Sequence, residues 1–286
     1  MSAFALGLVL ASAVIHASWN LVTKRTQSDV AFLWVVYVIG SIAYAPLAVL
    51  VIVVARPQIS PLVLLFVVVS AILQVVYFGA LTAGYRAGDL SLVYPVARAT
   101  GPLLATAGAI ALFGERPSGL ALAGAVAILG GALVLTGDPR ALRASGAGRA
   151  VGFAVATGVV IALYTLWDKT AVSGLLVPPL LYDWATVTLQ ALFVAPVALR
   201  DRSRLREVWA TQRREVVGVG VASRLSYILA LTALAVSPVA YVAPAREVGI
   251  LIGALLGARV LAEGHLVRRG LGAAAMVAGV VALAVG

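Results

Sequence analysis

Tyr77-Phe78-Gly79-Ala80-Leu81-Thr82-Ala83 returns later in the chain as Tyr227-Ile228-Leu229-Ala230-Leu231-Thr232-Ala233. The same offset of 150 places Trp34 on Trp184 and Ala45-Pro46 on Ala195-Pro196. An offset of 148 places Trp19 on Trp167, Arg98 on Arg246, Gly101 on Gly249 and Glu115 on Glu263, and then Gly124 on Gly272 and Gly131 on Gly279. Alanine matches are cheap in so apolar a chain. Tryptophan, arginine, glutamate and proline matches in register are not, and self-similarity at a long period is the mark of a duplicated unit.

Working outward, the 286 residues are 62% hydrophobic and 11% charged. A soluble domain carries about 45–50% apolar and about 25% charged residues, so a soluble or disordered chain is excluded. Ten apolar runs are long enough to cross a ~30 Å hydrocarbon core. They cover 3–22, 30–54, 61–84, 90–113, 118–137, 150–172, 178–199, 214–235, 239–261 and 267–285. The first begins at once, without the basic start or cleavage site of a removed signal peptide, and reads as a retained helix. Glycine, proline and charge clusters mark the breaks. Strands of a barrel would be about half as long, with alternating polarity.

The expected fold is therefore an all-α integral membrane protein of ten transmembrane helices. Residues 1–137 form one five-helix repeat, 138–149 a linker loop and 150–286 a second repeat. Five is odd, so the second copy enters from the opposite side, and equivalent helices run antiparallel about an axis in the membrane plane. Inverted repeats of this kind are typical of secondary transporters, with the substrate near the midplane between them.

Two stretches carry a family resemblance. One is Tyr94-Pro95-Val96-Ala97-Arg98 through Gly114-Glu115-Arg116-Pro117 to Gly124 and Gly131. The other is Pro244-Ala245-Arg246 through Glu263 to Gly272 and Gly279. A glutamate after the fourth helix of each repeat, then a helix with two glycines seven apart, resembles the EamA family of the drug/metabolite transporter superfamily. The resemblance implies a small-solute carrier of the inner (cell) membrane working by alternating access, with no catalytic motif and no cofactor. It leaves the substrate open among amino acids, sugar phosphates, nucleotide sugars, amines and drugs. Glu115 and Glu263 read as caps at the start of the following helix, where a carboxylate suits the positive helix end. The paired glycines read as sites of close helix packing.

The formal charge is +10. Loops after odd-numbered runs carry fifteen of the 21 Lys and Arg residues, and the opposite side carries only Arg56, Arg116 and Lys169. The positive-inside rule makes the fifteen-charge side cytoplasmic and puts both termini outside, whereas relatives in the superfamily are often drawn with both termini inside. The segment from Arg200 to Glu215, with Trp209 in it, reads as a cytoplasmic loop facing anionic headgroups, not as a nucleic-acid site.

Arg98, Arg224 and Arg246 remain inside helices. A charge at the bilayer centre costs at least ~2.5–3.5 kcal/mol on insertion scales, so it is retained facing a cavity or a partner. Glu247 reads as the one acid at comparable depth, which leaves a surplus of positive charge suited to a carboxylate or phosphate. Residues 246 and 247 point about 100° apart on a helix, so Glu247 is expected to pair with Arg98 or Arg224. The alternative is an internal salt-bridge network that only locks helices.

Helical spacing adds Tyr94, which shares a face with Arg98. Gln74, Tyr227 and Tyr164 are neutral lining candidates, and His16 and Asn20 lie late in the first helix. Pro95 and Pro244 each free a backbone carbonyl and would kink or hinge their helices. Trp19 and Trp167 are interface anchors or gate residues. Asp168 is a solvated end pair with Lys169, or a gate or proton site, and Glu247 or His16 is the alternative place for coupled proton binding. Two histidines and no cysteine make a metal centre improbable on ligand count. The expected function is a secondary transporter for a small amino acid or organic anion. Efflux of cationic drugs or amines, and below it an intramembrane enzyme, are the alternatives. Expected partners are the substrate and membrane lipids, with proton coupling open and either a monomer or a homodimer allowed.

Overall fold

The structure, a computed structural model, describes residues 1–24, 26, 29–88, 90–136, 147–258 and 266–286. Side chains are described for these except Lys24, Leu90, Ser91, Thr136, 254–258 and 266–269. Glu263, His265, Arg25, Arg259 and most of the linker lie outside the described residues.

Among the described residues there are eleven α-helices and no strand. They are α1 Ala3–Lys24, α2 Val30–Ala55, α3 Pro61–Ala87, α4 Leu90–Phe113, α5 Gly119–Thr136 and α6 Ala147–Lys169. A π-helical turn, Thr170–Gly174, follows α6. Then come α7 Pro179–Ala198, α8 Arg202–Val236, α9 Val239–Arg246, α10 Val248–Ala258 and α11 Leu266–Val285. Seven described segments are long and apolar enough to span a membrane, and two shorter apolar helices, Gly119–Leu135 and Gly270–Val285, accompany them. Val54 and Leu112 are each 73% exposed. Large apolar side chains turned outward along such helices suit a hydrocarbon solvent. The chain is a multi-pass membrane protein.

Local chemistry sets the helix ends. Ser60 accepts a hydrogen bond from Val63 N–H at 3.3 Å, and Pro61 opens α3, an N-cap followed by a residue whose missing donor costs nothing there. Asp29 accepts from Phe32 N–H at 2.9 Å and opens α2. Partial burial pushes the Asp29 carboxyl up, but the Phe32 N–H and Arg204 more than offset that and hold it below the usual carboxylate range. Arg56 closes α2 in the left-handed region, φ 43°, just before Pro57.

Two expectations are corrected. The run 239–261 is not one helix: it breaks at Glu247, where Glu247 N–H reaches Pro244 O and Ile250 N–H reaches Glu247 O through tightened i→i+3 bonds. The segment after Arg200 is not a loop. It is the beginning of α8, capped by Asp201 on Arg204 N–H at 3.0 Å and bent at Gln212, φ −128° and ψ 22°. Leu205 and Val208 lie on its inner side against the cluster of Phe32, Val35, Val36, Val216 and Val219.

The packing scheme has a reciprocal pattern. α5 lies on α11 and α2 on α7; α4 on α6 matches α1 on α9 and α10; α1 on α8 matches α3 on α6. Trp34 Nε1–H donates to Ala191 O at 2.9 Å, and Trp184 Nε1–H donates to Ser41 O at 3.0 Å. On α5 and α11 a Cβ added to Gly279 would lie 2.5 Å from Gly124 O, and one added to Gly131 would lie 2.6 Å from Gly272 O. These contacts are backbone on backbone, so a side chain cannot be absorbed by a rotamer change. Gly279→Val is expected to lower stability by about 1–3 kcal/mol, the range for overpacking. The check is a thermal unfolding curve in detergent beside Gly130→Val, where an added Cβ meets nothing within 4 Å. Equal loss in both variants would contradict this account of the contact.

Candidate functional site

Helices α3, α4, α6, α8 and α9 bring their polar residues to one seam. Arg98 projects from α4 and Glu247 from the break between α9 and α10. Arg98 Nε lies 2.8 Å from Glu247 Oε2, with side chains 13% and 5% exposed. Neither atom has an aligned hydrogen bond, so this is a charge contact and not a two-pronged fork. Glu247 thus takes one of its two expected partners. Arg246 points another way. Its guanidinium lies 5.5 Å from the centre of the Tyr227 ring, and it has no ion pair or hydrogen bond among the described residues. Tyr164 stands edge-on between Tyr77, at 6.0 Å, and Tyr227, at 6.5 Å. Tyr94 sits one turn before Arg98 and packs against the core.

Asp168 is fully buried at the end of α6. Ser70 Oγ and Tyr182 Oη each donate to its Oδ1 at 2.7 Å, and Tyr227 Oη donates to Oδ2. Gln74 donates to Ser70 Oγ at 3.1 Å, and Gln190 donates to Gln74 Oε1 at 2.9 Å. The expected end pair of Asp168 with Lys169 is not formed. Lys169 Nζ instead donates to Leu234 O at 2.7 Å and Ser237 O at 3.1 Å, at the C-terminus of α8, where cations suit the helix dipole. Beside Asp168, Trp167 stacks on Phe66 at 4.1 Å and donates to Phe66 O at 2.9 Å.

The matched end of α1 is built differently. His16 and Trp19 meet edge to face at 4.8 Å. Asn20, in the place of Asp168, only donates back to His16 O at 3.0 Å. Trp19 Nε1 is buried without a hydrogen-bond partner among the described residues. The lacing around Asp168 has no equivalent among the described residues at the end of α1, where Trp19 packs against the α2–α8 cluster.

Arg224 stands apart from the other two interior arginines. Its stem runs over Gly40 of α2, where a Cβ would lie 2.8 Å from Arg224 Cγ, and Nη1 reaches Asp183 Oδ1 at 3.1 Å. Asp183, 1% exposed on α7, was not singled out by the sequence. Among the described residues the interior therefore holds three acids, Asp168, Asp183 and Glu247, against three arginines. This corrects the expectation of one acid and a net surplus. What survives is local: Arg246 touches no acid. The further buried participants Ser70, Tyr182 and Gln190 carry no signal in sequence beyond being polar within apolar runs.

Glu115 is also corrected. Its two oxygens accept from Val239 N–H at 2.7 Å and Ala240 N–H at 2.9 Å, so it caps α9 from the other half of the chain. Helix α5 takes its own cap from Ser118, on Ala121 N–H at 3.0 Å. Pro95 lies inside α4, which stays continuous, whereas Pro244 lies one turn before the break in α9. Among the described residues no three His, Asp or Glu side chains are placed to hold a metal.

Residues 3–137 match the EamA-like transporter family. The chain shares its fold with a protein of known crystal structure at 16% identity and a TM-score of 0.76, the match covering 97% of each chain. No curated protein sequence matches it.

Proposed function

We propose that this multi-pass membrane protein, whose residues 3–137 match the EamA-like transporter family, is a transporter of the drug/metabolite superfamily and a secondary carrier for a small carboxylate-bearing metabolite in the inner (cell) membrane. In this reading residues 1–137 and 150–286 are inverted repeats spanning the membrane ten times, and the substrate binds in the seam between them during alternating access. The reciprocal tryptophan bonds and the glycine contact of α5 on α11 support the two-fold relation.

The observation that carries the substrate class is Arg246. A partly buried guanidinium with an aromatic ring at 5.5 Å and no acid in contact is a ready anion site. Arg98 and Glu247 neutralise each other beside it, and Tyr94, Tyr164, Gln74, His16 and Asn20 complete the wall. Carriage of cationic drugs or amines fits less well, because Glu247 is 4% exposed and committed to Arg98. Uptake into liposomes holding the purified protein, screened over amino acids, organic anions and amines, tests the class. Transport of amines alone would overturn it.

Asp168 is the coupling and gate residue of this proposal. Neutral hydroxyls hold it and no cation touches it, so a proton arriving there removes its charge and one acceptor position from the Ser70–Tyr182–Tyr227 lattice. Trp167, Trp19, Pro95 and Pro244 flank the moving ends. Asp168→Asn is expected to leave substrate exchange measurable while abolishing the response of uptake to an imposed pH gradient. Uptake that still follows the gradient would remove Asp168 from this role.

A further inference from the structure

We propose that the lateral groove between α2 and the first turns of α8 is a binding site for one anionic phospholipid, its acyl chain in the groove and its phosphate on Arg206. The groove encloses about 560 Å³ and is bordered by Trp34, Val38, Ile39, Leu205, Arg206 and Trp209. It is distinct from the seam described above, and the inference needs only that the chain lies in a membrane.

Three observations carry it. First, the charges above the groove are uncommitted. Arg204 is spent on Asp29 at 2.6 Å and Glu207 at 2.9 Å, whereas Arg202, Arg206 and Arg213 have no acidic partner among the described residues. Arg202, Arg206 and Trp209 fall at i, i+4 and i+7 on the part of α8 before the bend at Gln212 and form one stripe there. Trp209 is 50% exposed, and tryptophan beside arginine is the composition of a membrane interface.

Second, the lining is nearly all hydrocarbon, with Arg206 as its charged member. Apart from Arg206 and the Trp209 indole such a wall offers little to pair a peptide backbone, whose unpaired groups would be costly there. An acyl chain has no such groups. Third, the groove continues into bilayer-facing surface: Ile42, the next outward residue of α2, is 65% exposed. The bend at Gln212 makes the geometry possible, because it lets the start of α8 lie along α2 through Leu205 and Val208 before the helix enters the bundle.

The test uses the full chain in neutral detergent, with native mass spectrometry counting bound phosphatidylglycerol against phosphatidylcholine of the same chain length. Phosphatidylglycerol is expected to bind at least about tenfold more tightly, in line with the attraction of clustered arginines for anionic lipid. Arg206→Gln is expected to bring the two lipids level. Val38→Trp, which fills the groove and keeps the charges, is expected to weaken both. Arg116→Gln, on the opposite face of the membrane, is expected to leave binding unchanged. Retained preference in Arg206→Gln, unaltered binding in Val38→Trp, or equal competition by glycerol 3-phosphate would each overturn the site. None of these readings involves transport, so failure here and failure of the carrier reading are separate results.

Discussion

Uptake of the transported anion falls roughly 10- to 100-fold when Arg246 is replaced by glutamine, because a charge-assisted hydrogen bond is worth about 1.5–3 kcal/mol and each ~1.4 kcal/mol is tenfold in affinity. Initial rates in liposomes over a range of substrate concentration would show the loss as a raised apparent KM. Arg246→Lys is expected to recover part of it, since lysine restores charge without the planar fork. Arg246 is the cleaner test of the two seam arginines. Its guanidinium touches no acid, so removal leaves no buried carboxylate behind. Arg98→Gln would strip Glu247, 4% exposed, of its contact and confound folding with transport. Unchanged rates in Arg246→Gln at equal protein content would refute the anion site.

The second large effect concerns stability. Arg224→Met leaves Asp183 buried without its cation, and breaking a buried pair from one side costs about 3–5 kcal/mol. Asp183 Oδ2 and Arg224 Nε are already without hydrogen-bond partners, so the pair has little spare satisfaction to draw on. Arg224→Met with Asp183→Leu removes both charges and is expected to recover most of the loss. A double-mutant cycle on unfolding midpoints in detergent gives the coupling directly. Additive losses in the double variant would show that the contact carries no coupling energy. If Arg224 holds α2, α7 and α8 together and does not meet substrate, transport per folded molecule in the double variant stays near that of the parent.

The all-helical membrane fold was legible from the long apolar runs, and residues that repeat in register pointed to particular contacts. Trp34 and Trp184 fall at one offset, and each donates across the bundle to the other half. Gly124, Gly131, Gly272 and Gly279 announced close packing, and they meet backbone to backbone. The partner of Glu247 was left open between Arg98 and Arg224, because spacing neither chooses between two distant helices nor reveals that the helix breaks at Glu247 itself. The start of α8 was misread because its charges hid an amphipathic pattern: Leu205, Val208, Val216 and Val219 lie on one inner side across a bend that spacing does not reveal. Asp183 was missed because an acid near a helix start looks solvated, and only the three-dimensional approach of α2 and α8 buries it. The partner of Glu115 was hidden for the same reason. A carboxylate beside Pro117 announces a helix start, but not that the helix is α9.

Asp168 and Asn20 occupy corresponding places, yet only the first can gain or lose a proton, and only beside the first is the neighbouring indole hydrogen-bonded. If the proposed carrier uses these two places as gates, their unlike chemistry sets unequal rates of entry from the two baths. The acid also decides whether a proton gradient enters the balance at which net flow halts, because an amide has no proton to exchange. A one-sided pace would then trace to a single amide standing where the other end has an acid.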